Sequence, residues 1–200
     1  MKTIAVILTG GMSRRMGRDK GTIQFEDGET LIARLVRRYR DHFDEVYVSV
    51  NRAGRFDTAG APELVDLRPG QGPMAGLEAA FAATVADLVF LTAVDLPFGT
   101  PELVWKLNAL RGERDACYIR RTDGRPEPLF ALYSRACQAP LSACLEEERR
   151  SFRALFERVD VREVREEELP GFALDHLLLA RALWLGWKRL LPRQWQIWYF

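Results

Sequence analysis

Strand-like apolar runs alternate with helical patterns through most of this 200-residue chain, and that alternation limits the folds open to it. Residues 3–9 are rich in β-branched side chains and stop at two glycines. Residues 31–43 place apolar side chains at helical spacing behind Thr30, a suitable N-cap. Residues 88–94 are continuously apolar, which is typical of a strand buried on both faces. This order predicts an α/β domain: a three-layer, Rossmann-like, doubly wound fold with a mostly parallel sheet.

The rest of the chain extends the same pattern. Further strands are predicted at residues 45–51, 63–66, 116–119, 128–133 and 159–164, and helices at 74–85, 101–111, 137–147 and 151–158. No repeat or linker interrupts the chain before residue 165, so we expect a single domain over residues 1–170 and a separate tail over 171–200. Ligands of doubly wound sheets bind outside the carboxyl ends of the strands, so residues that end apolar runs are the candidates for a site.

The composition excludes several classes of protein. The chain has 29 basic and 28 acidic residues and a net charge of +1, whereas a nucleic-acid-binding protein usually has a clear basic surplus. Its three cysteines form no Cys-x-x-Cys pair and, with two distant histidines, predict neither a disulfide framework nor a zinc site. The sequence shows no signal peptide and no uncharged run long enough for a transmembrane segment, so we expect a cytoplasmic protein.

A glycine-rich loop follows the first strand. Gly10 and Gly11 allow a sharp turn that brings backbone N–H groups close to an anion, and Arg14, Arg15 and Lys20 add positive charge. Neither the P-loop pattern nor the dinucleotide-binding glycine pattern is present. The residues alone leave two interpretations open: a phosphate-binding loop, or a strand-to-helix turn with a solvated basic face.

Two aspartates end predicted strands. Asp95 follows the most apolar strand, where a carboxylate could bind Mg²⁺ together with substrate phosphates. It could equally cap the turn before Pro97. Asp66 ends a shorter strand and opens the loop of residues 69–76, which leads into an alanine-rich helix. The N-terminus of that helix could bind an anion or a base edge, or could simply begin at Pro73 after a glycine turn.

Taken together, these motifs resemble a known family. Residues 8–20 are similar to the signature of nucleotidyltransferases related to sugar-nucleotide pyrophosphorylases, and most similar to the molybdenum cofactor guanylyltransferase family. Further motifs follow in the family's order at Asp66, Gly72–Gly76, Val94–Pro97 and Gly124–Tyr133. The resemblance covers about residues 3–165.

The resemblance implies transfer of GMP from GTP to the terminal phosphate of molybdopterin, with release of pyrophosphate. It implies that Arg15, Lys20 and Asp95 are catalytic, and that Asp95 binds the Mg²⁺ cofactor. The nucleotide-binding residues that it implies are Leu8, Thr9, Gly10, Gly11, Lys20, Asn51, Asp66, Gly72 and Asp95. Arg125 and Glu127 are candidates for binding the second substrate, or else form a surface ion pair. The implied partners are GTP, molybdopterin and the proteins that deliver or accept the finished cofactor.

The chain departs from the family at two places. Ser49 stands where the family has an asparagine near the base, so the choice of guanine rests on the family. The asparagine-rich C-terminal motif is missing, and four of the five tryptophans lie in residues 184–198. The tail is interpreted as a divergent helix, as a membrane-surface helix or as the product of an altered gene end. Alternative functions are a related cytidylyltransferase, a sugar-phosphate nucleotidyltransferase, and a non-catalytic relative that binds a nucleotide or the cofactor.

Overall fold

The computed structural model describes residues 1–10, 24 and 28–172, and these form one sheet with its covering helices. The strands are β1 (Thr3–Leu8), β2 (Glu45–Val50), β3 (Glu63–Val65), β4 (Leu88–Ala93), β5 (Ala116–Arg120), β6 (Pro126–Ser134) and β7 (Val161–Arg165). The α-helices are α1 (Leu31–Tyr39), α2 (Pro73–Ala83), α3 (Pro101–Arg111), α4 (Gln138–Glu146) and α5 (Phe152–Phe156). Short 3₁₀ turns lie at Arg135–Cys137 and Glu166–Glu168.

The seven strands lie in the order β3-β2-β1-β4-β6-β5-β7. Strand β6 runs antiparallel to both of its neighbours, and every other pairing in the sheet is parallel. The predicted mostly parallel sheet is therefore confirmed. The reversal of β6 brings its first residues to the edge of the sheet where the parallel strands end.

Helices cover both faces of the sheet. Phe43, just after α1, stacks on Trp105 of α3 with ring centroids 5.3 Å apart, which places these two helices on one face. Helices α2 and α4 pack together, and α5 packs beside α4 on the other face. The three-layer, doubly wound α/β fold is confirmed. Within the described residues, no helix combines the length and the apolar character needed to cross a membrane.

Local sequence signals set the ends of several elements. The Thr30 hydroxyl accepts a hydrogen bond from the Ala33 N–H at 3.0 Å, as predicted for the N-cap of α1. Pro101 occupies the first turn of α3, where its missing N–H costs nothing. All six residues of β1 and all six of β4 are buried, because helices cover both faces of these central strands.

The register of the sheet places four strand ends side by side. Leu8 pairs with Ser49 on one side and with Ala93 on the other, and Val50 pairs with Val65. The residues that follow these strands therefore gather at one edge. The proposed division between residues 1–170 and the tail stays a prediction, because residues beyond Phe172 lie outside the described part of the chain.

Candidate functional site

A cleft of about 390 Å³ opens at the edge of the sheet where β1, β2, β3 and β4 end. Its walls come from those four strand ends, from the N-terminal turn of α2 and from the start of β6. The lining residues are Leu8, Thr9, Gly10, Ser49, Asn51, Asp66, Gly70, Gly72, Pro73, Gly76, Ala93, Val94, Asp95 and Leu129. This is the position that the doubly wound topology predicts for a ligand.

The exit of β1 is tied to β2 by two hydrogen bonds. The Thr9 hydroxyl donates to the Ser49 carbonyl at 3.0 Å, and the Thr9 N–H donates to the same oxygen at 3.2 Å. Gly10 then adopts a φ of +82°, a conformation that strains residues with a side chain. The described half of the glycine pair, Gly10, therefore has the left-handed conformation where it lines the cleft.

Asp66 enters the cleft from the end of β3. The Ser49 hydroxyl donates to Asp66 Oδ1 at 3.1 Å, and the Asp66 N–H donates to the Val50 carbonyl at 3.0 Å. Burial raises the pKa of the Asp66 carboxyl, and the hydrogen bond from Ser49 opposes that rise. Asn51, which is exposed, follows β2 and lines the same cleft.

The N-terminus of α2 forms the wall opposite β1. Gly72 is the N-cap residue at a φ of +77°, Pro73 opens the helix, and no side chain caps the helix end. Uncapped N–H groups and the helix dipole favour a negatively charged or hydrogen-bond-accepting ligand at such an end. Gly76, one turn later, lets the helix approach the sheet closely.

The loop before α2 is braced from behind by an ion pair. Arg68 Nε donates to Glu78 Oε2 at 3.1 Å, and the Glu78 side chain is only 8% exposed. The Ser142 hydroxyl donates to the other oxygen of Glu78, also at 3.1 Å. This buried carboxylate therefore joins the start of the loop to α2 and α4.

Two acidic residues lie where β4 ends and β6 begins. Asp95 follows β4, and Glu127 lies near the start of β6, where the pairing with β5 shifts register. Burial raises the pKa of Glu127, the Arg121 guanidinium opposes the rise, and the charge of Asp95 adds to it. Glu127 pairs with the buried Arg121 at 3.8 Å, so the predicted alternative of an exposed surface pair does not describe it. Arg125 is exposed on the β5–β6 hairpin.

The structure brings seven of the predicted nucleotide-binding residues to this one cleft. They are Leu8, Thr9, Gly10, Asn51, Asp66, Gly72 and Asp95. Gly11, Arg15 and Lys20 lie outside the described residues, as does Arg14. The binding and catalytic roles of all these residues stay predictions.

Sequence reasoning missed the contribution of Arg121 and Leu129 and the hydrogen bond of Ser49. Leu129 lines the cleft, and Arg121 reaches Glu127, because β6 runs antiparallel beside β4 and β5. The motif of residues 124–133 was the available signal for this region, but it does not reveal which strands β6 joins.

The donor set at Asp95 is compatible with a magnesium ion shared with a phosphate ligand. Among the described residues, no three His, Cys, Asp or Glu side chains are arranged to hold a metal ion by themselves. Mg²⁺ typically uses one or two protein carboxylates and completes its shell with substrate phosphates and water. Asp95 offers this type of ligand in the lining of the cleft.

Comparison with known proteins gives a consistent match over most of the chain. The model of the MobA-like NTP transferase domain matches residues 5–164. The molybdenum cofactor guanylyltransferase of Shewanella loihica is 33% identical over 146 residues, which are 71% of this chain and 74% of that protein. A probable molybdenum cofactor guanylyltransferase of Mycobacterium avium is 32% identical over 169 residues, covering 82% of this chain and 85% of the relative.

A solved structure shares the fold. Molybdopterin-guanine dinucleotide biosynthesis protein A from Archaeoglobus fulgidus superimposes with a TM-score of 0.73 at 24% identity. The superposition covers 87% of this chain and 89% of the other. At that level of identity, the similarity establishes the common architecture of sheet and helices.

Proposed function

The chain belongs to the family of MobA-like NTP transferase domains, and on this premise we propose that it transfers GMP from GTP to the terminal phosphate of molybdopterin. The products are the guanine dinucleotide form of the cofactor and pyrophosphate. The observation that carries the proposal is the cleft at the ends of β1 to β4, which is lined by seven of the nucleotide-binding residues that the resemblance implies. The lining combines the carboxylates of Asp66 and Asp95 with the backbone of Gly10 and the N-terminus of α2, which no side chain caps. These groups suit a nucleoside triphosphate.

In the reaction, one bond to the α-phosphorus of GTP forms and another breaks. A phosphate oxygen of molybdopterin forms a bond to the α-phosphorus of GTP, and the bond from that phosphorus to the bridging oxygen of pyrophosphate breaks. No covalent intermediate on the protein is needed, so positioning and charge neutralisation supply the catalysis. We assign these tasks to the backbone at Thr9 and Gly10 and to the side chains of Arg15 and Lys20, and we assign base binding to Asp66 and Asn51.

We assign Asp95 to holding Mg²⁺ against the phosphates. When bound, this ion would offset the negative charge that develops on the phosphate oxygens. The charge of Asp95 contributes to the raised pKa of Glu127 on β6. Arg121, buried beside Glu127, limits the excess negative charge there.

The proposed reaction also suggests a cellular setting and partners. GTP and a reduced, labile pterin cofactor are cytoplasmic substrates, and the three described cysteines are free thiols. The product must pass to a protein that binds the finished cofactor. We therefore propose a cytoplasmic enzyme that contacts a cofactor-delivery protein or an acceptor molybdoenzyme.

Release of pyrophosphate tests this function against its alternatives. The full chain is incubated with Mg²⁺, purified molybdopterin and each nucleoside triphosphate in turn. The proposal predicts release that depends on both GTP and molybdopterin. Preference for CTP would indicate a cytidylyltransferase. Activity with a sugar phosphate in place of molybdopterin would indicate a sugar-phosphate nucleotidyltransferase. GTP binding without turnover would indicate a non-catalytic relative.

Asp95→Ala tests the assignment of the metal ligand. Loss of a charged group that stabilises the transition state should lower kcat by about 10²-fold or more, while the circular dichroism spectrum stays that of the parent protein. Asp87→Asn is the matched control, because Asp87 precedes β4 at the opposite edge of the sheet and accepts a hydrogen bond from the Lys2 N–H. Normal turnover in the Asp95 variant would overturn the assignment.

A further inference from the structure

Ser49 lies in the lining of the cleft next to Leu8 of β1, Asp66 after β3 and Gly76 of α2. It is 4% exposed and belongs to the end of β2, directly beside Leu8 of β1 in the sheet register. Its carbonyl accepts both hydrogen bonds from Thr9, so its backbone holds the turn at the end of β1. Its hydroxyl points the other way, to Asp66.

The hydroxyl of Ser49 has a single proton, and the structure directs it to one oxygen of Asp66. The distance from Ser49 Oγ to Asp66 Oδ1 is 3.1 Å. A hydrogen bond to one oxygen restricts the rotation of the carboxylate. Because Asp66 lines the cleft, this contact fixes the direction in which the second oxygen, Oδ2, meets a ligand.

Helix α2 approaches the Ser49 side chain closely at Gly76. A methyl group added at Gly76 would lie 2.6 Å from Ser49 Oγ and 2.5 Å from Leu8 Cδ2. The close helix therefore limits the rotation of the Ser49 side chain. Helix α2 on one side and the Asp66 carboxylate on the other keep the Ser49 hydroxyl in place.

We propose that Ser49 is a positioning residue for base selection: it orients Asp66 so that the carboxylate accepts the adjacent N–H donors of guanine. This inference rests on the proposed function only for the identity of the nucleotide. Guanine presents N1–H and the 2-amino group side by side, and a carboxylate accepts from both. Adenine and cytosine each place an acceptor next to their donor, which an ionised carboxylate repels.

ITP measures the contribution of the 2-amino group of guanine, because its base keeps N1–H and lacks that group. The full chain should bind GTP about 10- to 100-fold more tightly than ITP, the range expected for one hydrogen bond to a charged group. Titration calorimetry with each nucleotide measures this ratio without any turnover.

Ser49→Ala should reduce the ratio of GTP affinity to ITP affinity about 3- to 10-fold, because GTP loses a well-aligned contact that ITP never makes. If Ser49 had only a structural role, its loss would weaken the binding of GTP and of ITP equally. Tyr47→Phe is the matched control: it removes another hydroxyl on β2 that donates to a carboxylate, Glu45 Oε2 at 2.8 Å, outside the cleft lining. It should leave the ratio unchanged.

Ser49→Cys keeps the shape of the side chain and replaces the hydroxyl by a weak donor, so it gives the same comparison if the alanine variant does not fold. An intermediate ratio supports the proposal. A ratio equal to that of the parent chain in a folded Ser49 variant, equal losses for GTP and ITP, or a parent chain that does not prefer GTP to ITP would overturn it. Tight GTP binding with a normal Ser49 effect but no pyrophosphate release would overturn the proposed transfer reaction and leave the role of Ser49 intact.

Discussion

Gly76 and Ser49 share a small space in the lining of the cleft, and Gly76 cannot gain a side chain without moving Ser49 or Leu8. Both atoms that a Gly76 methyl group would strike belong to buried side chains, Ser49 and Leu8. Side chains in such a position have few other rotamers to adopt, so the contact cannot be relieved cheaply. The glycine is therefore required by the close approach of α2 and not by its backbone angles.

Gly76→Ala should destabilise the fold by about 1–3 kcal/mol, the usual range for overpacking, and should weaken nucleotide binding as well. Urea unfolding measures the first effect and calorimetry the second. Combining Gly76→Ala with Ser49→Ala restores part of the space, so the double variant should lose less stability than the two single variants together. Strict additivity would contradict the shared-space explanation.

At the scale of elements, the loop of residues 69–72 depends on support from outside the cleft. Arg68 begins the loop and reaches Glu78 on α2, whose carboxylate is almost fully buried. A buried carboxylate that loses a charged partner keeps its desolvation penalty and loses part of the compensation. The position of the loop is thus coupled to the packing of α2 against α4.

Arg68→Ala should lower the free energy of unfolding by about 1–3 kcal/mol, because Glu78 would then keep only part of its hydrogen bonding. Arg153→Ala is the control, since the Arg153 side chain is 89% exposed and its pair with Glu157 should contribute little. Urea unfolding of both variants provides the comparison. If both variants lost the same small amount of unfolding free energy, Arg68 would have no supporting role.

The elements also show how far sequence reasoning reaches. The strand ends at Thr9, Asp66 and Asp95 were predictable because apolar runs and turn residues are local signals, and parallel strands end at a common edge. The direction of β6 was not predictable, because strand order depends on contacts between distant segments. For the same reason the pairing of Glu127 with Arg121, across a shift of register, could not be read from residue types alone.

At the scale of the whole molecule, the described residues bury all three cysteines in the common core. Burial raises the pKa of Cys117 and of Cys137 to about 12 in each case. The thiolate is the reactive form, so these residues should be inert in the folded protein. They behave as small apolar side chains, as their spacing in the sequence suggests.

Native protein at neutral pH should therefore react with an aromatic disulfide reagent at all three described cysteines only as fast as it unfolds or opens locally. Denatured protein, the control, should react at once at three thiols per chain. The absorbance of the released thiolate follows both reactions. Immediate reaction of a native thiol would contradict the burial of these side chains.

The central claim is that this chain moves a guanylyl group from GTP to molybdopterin. GTP labelled with radioactive phosphorus at its α-phosphate tests it most directly, because the label follows the phosphorus atom at which the bonds change. With Mg²⁺ and molybdopterin present, we expect the label to appear in a pterin product of dinucleotide size and unlabelled pyrophosphate to be released. Label that stays in GTP, or that appears as free GMP whether or not molybdopterin is present, would contradict it.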